Sequence, residues 1–322
     1  MKIVVNGAGS VQDVPGLQQL ADQADIALAP DKEQLGKALP GADILLGWNF
    51  QSRDMQGQWH LADSLKWIHW CGASVDRVIS PELTGSRVHL TNARGIFDQV
   101  MAEYILGYML AEAKNFRETL ELQGNRTWKT RVTGRLFGSS AVIFGVGSIG
   151  RTTARLLRSV GVAVTGVGRR ARQDDPDFDR VVAAPQSREL VEKADWIIGL
   201  MPLTDETADY FDAGFFSNMK FGARFMNLGR GESVVEDALV QALRKGQIAG
   251  AMLDVFQREP LDAESPLWET PNMVVSPHTS SYYAEYEDDM AVQFMDNYQR
   301  FCRGEKLENQ VDTTLGFVRS EI

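Results

Sequence analysis

The sequence predicts an α/β protein with two parallel sheets, each covered by helices. Apolar or β-branched runs alternate with segments of helical spacing along most of the chain, which is the pattern of a doubly wound parallel sheet. A long apolar helix beginning at Asp98 interrupts the alternation, and a second series of strands and helices follows it. With 322 residues, the chain is long enough for two domains with separate cores.

The first part of the chain contains four predicted strands, each ending in small or polar residues: KIVVNG, ADILLGW, LKWIHWCG and RVHLTNARG. Between them, positions such as Leu17, Leu20 and Ala24 have helical spacing. The long helix, DQVMAEYILGYMLAEAKNF, comes next. The polar stretch after it, ELQGNRTWKTRVTGRLFG, is suited to an exposed arm or to a connection between domains.

The second part contains a further series of predicted strands: SAVIF, VAVTGVG, ADWIIGLMPL, ARFMNLGRG, AGAMLDVF and NMVVSPH. Near the C-terminus, Met290, Phe294, Tyr298 and Phe301 recur at helical spacing, and Gly304 marks the end of that helix. We expect this helix to return to the first domain. Residues 1–97 and 286–322 then form one domain, and residues 98–285 form the other.

Composition excludes several classes of function. The formal net charge of −10 argues against a nucleic-acid-binding protein, which needs a basic face. It also means that an anionic substrate must be attracted by local positive charge. No apolar run approaches the roughly 20 residues that span a membrane, and the start, MKIVVNGAGS, lacks the features of a signal peptide. Cys71 and Cys302 are too few for a disulfide framework or a cysteine zinc site, so we expect a cytoplasmic protein without a metal.

A glycine-rich turn with the G-x-G-x-x-G spacing opens the second domain. Gly145, Gly147 and Gly150 follow the apolar strand AVIF and precede the helical segment SIGRTTARLLRSVG. In a dinucleotide site, these glycines allow a tight turn, close approach of the pyrophosphate and close helix–strand packing. The amino end of the helix, at Ser148 and Ile149, attracts the phosphates. The alternative is a glycine-rich turn in an ordinary α/β unit.

The next strand indicates which dinucleotide is bound. An NAD enzyme usually has an acidic residue at its end, but this strand ends at Gly168 and is followed by Arg169 and Arg170. The missing carboxylate removes repulsion of a 2′-phosphate, and the arginines offer it charge-assisted hydrogen bonds. We therefore expect a preference for NADP(H) over NAD(H). The alternative is a solvated basic turn balanced by the downstream acids Asp174, Asp175 and Asp177.

Three polar residues follow three later strands: Arg230, Glu259 and His278. Ligands bind at the carboxyl ends of parallel strands, and this trio suffices for the reduction of a keto acid. The arginine would hold the carboxylate and polarise the carbonyl group, and the histidine would donate a proton. The glutamate would orient the imidazole and favour its protonated form.

Each member of the trio also has a structural interpretation: a surface charge, a cap beside Pro260, and a turn residue. The choice of histidine is nevertheless narrow, because His60, His69 and His89 are the only others. His69 and His89 lie in predicted strands, and His60 lies in a polar loop without an evident partner.

With these residues in place, the chain resembles the D-isomer-specific 2-hydroxyacid dehydrogenases along nearly all of its length. The motifs that carry the resemblance are GVGSIG, MPLTDET, NLGRG, LDVFQREP and SPHTS. The resemblance implies a flavodoxin-like substrate domain and a Rossmann coenzyme domain with the active site in a cleft between them, in a protein that is usually a homodimer. It also implies that Arg230, Glu259 and His278 are the catalytic residues.

The resemblance assigns further residues to the two ligands. Asp254 matches the aspartate on the nicotinamide side, and the remaining cofactor positions that it implies are Met201, Pro202, Thr207, Leu228, Gly229 and Ser280. The segment Cys71–Asp76 resembles the loop whose backbone N–H groups hold the substrate carboxylate, through Gly72, Ala73 and Ser74. The family commonly has glycine where this chain has Ser74, so a side chain there narrows the pocket or adds a hydrogen bond.

Trp48 and the QGNRTWKTR arm resemble the glyoxylate and hydroxypyruvate reductase branch, which tends to use NADPH. We therefore expect an NADP(H)-preferring reductase of small 2-keto acids. We expect Trp48 to bind the substrate together with Gly72, Ala73, Ser74, Arg230 and His278. The alternative, from another functional class, is a dinucleotide-sensing binding protein similar to the corepressors built on this fold, which also keep the catalytic trio.

Overall fold

The chain divides into two units, each with its own parallel sheet. A computed structural model describes residues 1–318. The first unit comprises Met1–Phe97 and Tyr283–Ile322, and the second comprises Asp98–Tyr282. The return to the first unit lies at Tyr283, whereas the sequence placed this boundary at 286. Tyr283 is tied to the C-terminal helix because its hydroxyl group donates to Asp289 at 2.5 Å.

The strands are β1 (Lys2–Asn6), β2 (Asp25–Ala29), β3 (Ile44–Gly47), β4 (Trp67–Trp70), β5 (His89–Asn92), β6 (Ser140–Phe144), β7 (Ala163–Gly168), β8 (Arg180–Ala183), β9 (Trp196–Gly199), β10 (Arg224–Asn227), β11 (Gly250–Leu253), β12 (Met273–Val275), β13 (Val311–Asp312) and β14 (Phe317–Val318). The α-helices are α1 (Lys32–Ala38), α2 (Pro81–Thr84), α3 (Asp98–Ala113), α4 (Phe116–Gly124), α5 (Ser148–Ser159), α6 (Arg188–Val191), α7 (Ala213–Asn218), α8 (Glu236–Arg244) and α9 (Tyr286–Arg303).

The first unit has a five-stranded parallel sheet in the order β2-β1-β3-β4-β5. This is the flavodoxin-like order, with its switch of direction between β1 and β3. Its central strands are apolar runs, because helices and loops cover both faces of such a sheet. Val4, Leu45, Ile68 and Leu90 are buried in its core.

Helix α9 packs on this first sheet through aromatic residues. The ring of Trp67 in β4 stacks on Phe294 at a centroid distance of 5.5 Å and on Phe301 at 5.3 Å. Met290, Phe294 and Tyr298 are buried, and the helix ends at Gly304, whose φ of 68° is left-handed. The helical spacing near the C-terminus is therefore a core-facing stripe of the first unit.

The second unit has a seven-stranded parallel sheet in the order β12-β11-β10-β9-β6-β7-β8. The chain enters at β6, builds toward β8, and then crosses to β9 and builds toward β12. This is the Rossmann arrangement, in which ligands bind beyond the carboxyl ends of the strands near the reversal of direction. The predicted fold class, two doubly wound parallel-sheet domains, is confirmed.

The structure corrects the expected elements in three places. Asp25–Ala29 and Arg180–Ala183 are strands that the sequence reading missed. Leu17–Leu20 is a short 3-10 turn, and Ala24 lies outside it, so these positions do not form the expected α-helix. Among residues 1–318, no helix is long and apolar enough to cross a membrane.

Candidate active site

The glycine-rich turn lies between β6 and α5, and two of its glycines are required by the protein itself. Gly145 has a left-handed φ of 115°, and a Cβ atom there would overlap the carbonyl oxygen of Leu200. A Cβ atom on Gly150 would overlap the carbonyl oxygen of Gly145. Any side chain at Gly150 would therefore force the helix away from the strand.

Gly147 differs because a Cβ atom there would meet no protein atom within 4 Å. It is the N-cap of α5, where no side chain caps the helix and no acidic residue occupies the first turn. The uncapped N–H groups and the helix dipole favour an anion at this end. Ser148 and Ile149 begin the helix and are half-buried. The turn thus fits a dinucleotide pyrophosphate, and the open space at Gly147 is what a ligand approaching the backbone requires.

The turn after β7 contains the residues expected to choose the cofactor. Gly168 is the last residue of the strand, and Arg169 and Arg170 are exposed directly after it. A Cβ atom at Gly168 would lie 2.8 Å from Cγ2 of Val146, so a larger residue requires Val146 to move. This close contact with the glycine-rich turn is an additional reason for glycine at the position.

Two loops border the same edge of the sheet. The hydroxyl group of Thr207 donates to the carbonyl oxygen of Pro202 at 2.7 Å and accepts from the N–H group of Thr204 at 2.8 Å, which closes the loop after β9. Thr207 therefore organises this loop internally. Met201 contacts the next loop, because a Cβ atom at Gly229 would lie 2.8 Å from its carbonyl oxygen.

The turn that carries Arg230 packs against the loop after β11. Leu228 is buried, and a Cβ atom at Gly231 would overlap the backbone of Phe256. The carbonyl oxygen of Arg230 accepts from the side chains of Asn227, at 2.8 Å, and Ser233, at 2.7 Å. The backbone that presents the Arg230 guanidinium group is thus held by two side chains and by close packing.

Glu259 and His278 form a direct pair. Nδ1 of His278 lies 2.8 Å from Oε2 of Glu259, and both side chains are 25% exposed. The other carboxylate oxygen, Oε1, accepts from the N–H group of Phe256 at 3.1 Å. The carboxylate of Glu259 therefore links His278 to Phe256, the residue against which the turn of Arg230 packs.

His278 has a left-handed backbone with φ of 52°, which is uncommon for a residue with a side chain. The carboxylate of the buried Asp254 holds the residues after it, accepting from the N–H groups of Thr279 at 2.9 Å and Ser280 at 3.1 Å. Asp254 thus anchors the histidine turn. Its expected contact with the nicotinamide stays a prediction, as does that of Ser280.

Two residues that sequence reasoning missed complete this network. The hydroxyl group of Ser276 donates to Asp254, and the hydroxyl group of Tyr104 on α3 lies 2.7 Å from that of Ser276. Ser276 lies in the SPHTS motif, two residues before the histidine. Tyr104 is distant in sequence, and nothing local indicates its role.

The other histidines have different surroundings. His69 is fully buried in β4, where Nδ1 lies 2.8 Å from the hydroxyl group of Thr91, and burial lowers its pKa to about 3. His89 is exposed, with Nδ1 3.0 Å from the amide nitrogen of Gln310. His60 is exposed on a 3-10 turn. Within the described residues, His278 is the histidine paired with a carboxylate.

The predicted substrate loop lies in the first unit, at the carboxyl end of β4. The carbonyl oxygen of Gly72 accepts from the N–H group of Ala93 at 3.1 Å, and that of Ala73 accepts from the side chain of Asn92 at 2.5 Å. The hydroxyl group of Ser74 donates to Asp76 at 2.5 Å. Its polar group is therefore engaged within the loop.

Two neighbouring residues of the first unit are apolar fillers at this edge. Trp48 follows β3 and is 8% exposed, so its ring belongs mainly to the core, and its expected contact with the substrate stays a prediction. Cys71 is fully buried, and burial raises the pKa of its thiol group. This environment suits a small apolar filler.

Comparison with known proteins identifies the family. Residues 106–280 match the model of the "D-isomer specific 2-hydroxyacid dehydrogenase, NAD binding domain". The chain belongs to the D-isomer specific 2-hydroxyacid dehydrogenase family. It is therefore an oxidoreductase that acts on the CH–OH group of D-2-hydroxy acids, and the predicted resemblance is confirmed.

Similar members of this dehydrogenase family match nearly the full chain. A glyoxylate/hydroxypyruvate reductase A of Escherichia fergusonii is 31% identical over 284 residues, covering 86% of this chain and 88% of the relative. A solved family member from Aeromonas salmonicida is 32% identical with a TM-score of 0.81, covering 97% of this chain and 98% of that one. An NADPH-dependent glyoxylate/hydroxypyruvate reductase of Sinorhizobium meliloti, solved with NADP and sulfate, is 27% identical with a TM-score of 0.82, covering 98% and 99%.

Proposed function

We propose that this dehydrogenase is an NADP(H)-preferring reductase of small 2-keto acids that forms the D-2-hydroxy acid. The observation that carries the proposal is the 2.8 Å contact between His278 and Glu259, beside the packed turn of Arg230. A histidine oriented by a carboxylate next to an arginine can deliver a proton to a carbonyl oxygen while the substrate is held by its charge.

Each residue has a defined task in this proposal. Glu259 binds Nδ1 of His278, so that Nε2 is the ring nitrogen left to exchange a proton with the substrate oxygen. Arg230 binds the substrate carboxylate and polarises the carbonyl group. A role for the backbone N–H groups of Gly72, Ala73 and Ser74 in binding the substrate carboxylate stays a prediction from the resemblance. When bound at the Gly145–Gly150 turn, the nicotinamide coenzyme supplies the hydride.

His278→Ala tests the catalytic assignment. Loss of the general acid should lower kcat for keto-acid reduction by at least about 100-fold. His60→Ala is the matched control, because it removes an exposed histidine and should leave kcat unchanged. Turnover of His278→Ala close to that of the wild type would contradict the assignment.

Three features support the coenzyme preference: the absent carboxylate at Gly168, the exposed Arg169 and Arg170, and the likeness to an NADPH-dependent relative. Replacing both arginines by alanine should raise KM for NADPH by at least about tenfold, because each charge-assisted hydrogen bond contributes that order of affinity. KM for NADH should change little. Equal effects on both coenzymes would refute the proposed 2′-phosphate site.

Gly168→Asp tests the same site from the opposite direction. The added carboxylate should repel a 2′-phosphate and shift preference toward NADH, most strongly when Arg169 is also neutralised. Gly168→Ala is the necessary control, since both variants place a Cβ atom 2.8 Å from Val146. If both variants lost NADPH binding equally, the cause would be the contact of the added Cβ atom with Val146 and not the added negative charge.

Substrate preference is proposed from the relatives named glyoxylate/hydroxypyruvate reductase. A panel of glyoxylate, hydroxypyruvate, pyruvate and longer 2-keto acids, run with NADPH and with NADH, measures kcat/KM for each pair. We expect the two- and three-carbon acids to have the highest values. Absence of turnover with all of them would favour the dinucleotide-sensing alternative.

We also propose a homodimer that uses the arm after α4. Trp128 is 98% exposed and Val132 is fully exposed, while Arg131 of the same arm is fixed to Asn115 by a 3.0 Å hydrogen bond. Large apolar side chains that are exposed to solvent on a fixed segment are typical of a protein–protein interface. Light scattering should give the mass of a dimer, and Trp128→Ala with Val132→Ser should give a monomer.

A further inference from the structure

One face of helix α5 carries a series of arginines that match aspartates on the segment between β7 and β8. The arginines recur at i, i+4 and i+7 of the helix, which places their side chains on one face. The aspartates recur at every second residue of the bend that leads into β8. We name this set the arginine–aspartate ladder, and its members are Arg151, Arg155, Arg158, Asp175, Asp177 and Asp179.

The inner part of the ladder is buried. Nη1 and Nη2 of Arg151 each lie 3.0 Å from one carboxylate oxygen of Asp175, in a bidentate arrangement. Nη1 of Arg151 also lies 2.7 Å from Asp177, whose second oxygen is 2.9 Å from Nη1 of Arg155. The side chain of Arg151 is 8% exposed and that of Asp175 is 1% exposed. Buried bidentate pairs are geometrically specific, and breaking one of them is costly.

The outer part of the ladder is exposed and lies at the other end of β7. Nε of Arg158 lies 3.1 Å from Asp179, and both side chains are more than a third exposed. Asp179 also accepts from the N–H group of Val164, the second residue of β7, at 2.8 Å. The inner pairs begin at Arg151, next to the glycine-rich turn.

The ladder fixes the segment that contains Arg169 and Arg170, the two arginines proposed to bind the 2′-phosphate. Arg169 and Arg170 follow Gly168, the last residue of β7. Two residues later, the backbone of Arg172 exchanges hydrogen bonds of 2.9 and 3.0 Å with that of Val181 in β8. Nε of Arg172 also lies 3.5 Å from the carboxylate of Asp175. The short turn is therefore fixed on one side by a strand and on the other by a residue tied to the ladder.

The ladder also determines the local charge. The sequence offers Asp175 and Asp177 as acids that could balance Arg169 and Arg170. Their ion pairs are instead with Arg151, Arg155 and Arg172. The helix thus supplies the counter-charges of these buried carboxylates.

We infer that Arg151, Asp175 and Asp177 are positioning residues for coenzyme selection, acting through Arg169 and Arg170 on recognition of the adenosine 2′-phosphate. This inference rests on the proposed preference for NADP(H). It assigns a function in selectivity to residues that lie beside the coenzyme turn and that the expected site did not include.

The test uses Asp175→Asn and Asp177→Asn, which keep the side-chain volume and remove the charge. Binding of 2′,5′-ADP and of 5′-AMP is measured by calorimetry, because only the first carries a 2′-phosphate, and KM is measured for NADPH and NADH. We expect affinity for 2′,5′-ADP and NADPH to fall at least about tenfold, the order of one charge-assisted hydrogen bond. Affinity for 5′-AMP and NADH, and kcat with NADH, should stay within about twofold of wild type.

Asp179→Asn is the matched control, because it makes the same chemical change in the exposed outer pair. It should leave the ratio of 2′,5′-ADP to 5′-AMP affinity unchanged. If either inner asparagine variant fails to fold, Arg151→Lys retains the charge but loses the bidentate contact, and it should lower the same ratio.

The outcomes separate the two claims. A wild-type protein that binds 2′,5′-ADP no better than 5′-AMP overturns the proposed coenzyme preference and this inference with it. A wild-type preference that persists in folded Asp175→Asn, Asp177→Asn and Arg151→Lys variants overturns only the positioning role. An equal loss of both nucleotides in the inner variants also overturns it, since it would report a general loss of structure.

Discussion

Two turns of the second unit reach the proposed coenzyme site, and they are fixed by different forces. The turn between β6 and α5 is fixed by steric exclusion, because Gly145 and Gly150 leave no room for a side chain. The turn at Arg169 and Arg170 is fixed by a strand contact and by the arginine–aspartate ladder. The first turn should therefore be insensitive to pH and salt but should not accept a side chain at Gly145 or Gly150, whereas the second should be sensitive to the loss of charge in the ladder.

Among the substitutions that test this comparison, Gly150→Ala should have the largest effect on stability. Its methyl group would overlap the carbonyl oxygen of Gly145 and separate the helix from the strand. Overpacking of this kind lowers the free energy of unfolding by about 3 kcal/mol. Urea denaturation measures this loss, and an unchanged midpoint would show that the turn relaxes more easily than its packing indicates.

Asp177→Asn should have the next largest effect on stability, and the effect should depend on pH. Burial raises the pKa of Asp177, but hydrogen bonds from Arg151 and Arg155 outweigh it and hold the pKa below its usual value. A lowered folded-state pKa stabilises the protein fully above the unfolded value of about 4, and this contribution is lost as pH falls through the folded value. The difference in Tm between wild type and variant should therefore shrink below about pH 4.

The effect of Gly147→Ala should be confined to binding. The position is open, so the free energy of unfolding should change by less than about 1 kcal/mol, the cost of a poorer N-cap. Coenzyme affinity should nevertheless fall, because the methyl group occupies the path of the pyrophosphate. Fluorescence titration with NADPH measures this, and unchanged affinity would mean that the ligand does not approach this backbone.

Asp179→Asn should have the smallest effect. Its ion pair with Arg158 is largely exposed, and exposed pairs contribute at most about 1 kcal/mol. A thermal melt should therefore show a smaller loss for this variant than for Asp177→Asn. Equal losses would contradict the division of the ladder into a buried inner part and an exposed outer part.

The same contrast explains what the sequence could predict. The glycine spacing and the strand that precedes it are local, so the turn after β6 was readable from one short stretch. The central strands were equally readable, because burial on both faces makes them continuous apolar runs. β2 and β8 were missed because they are edge strands whose residues are largely half-buried or exposed, which weakens the apolar pattern.

Contacts between distant segments could not be predicted from the sequence. The ladder joins residues more than 20 positions apart. From the sequence, its aspartates could be related only to the nearby Arg169 and Arg170, and not to the arginines of helix α5. The resemblance implies a coenzyme contact for Asp254, which stays a prediction, but it did not indicate that its carboxylate holds the turn after the neighbouring strand β12. Such pairings depend on which strands adjoin, and strand order is a property of the whole sheet.

The ladder has a consequence for engineering. Transplanting residues 168–183 alone into an NAD-preferring relative would move Arg169 and Arg170 together with three aspartates that face a foreign helix. Without arginines opposite them, the carboxylates of Asp175 and Asp177 would lose their ion pairs with the helix, and within the described residues only Asp175 would keep another, the 3.5 Å one with Arg172. The unit that can be moved between relatives is therefore the helix and the segment together, residues 148–183.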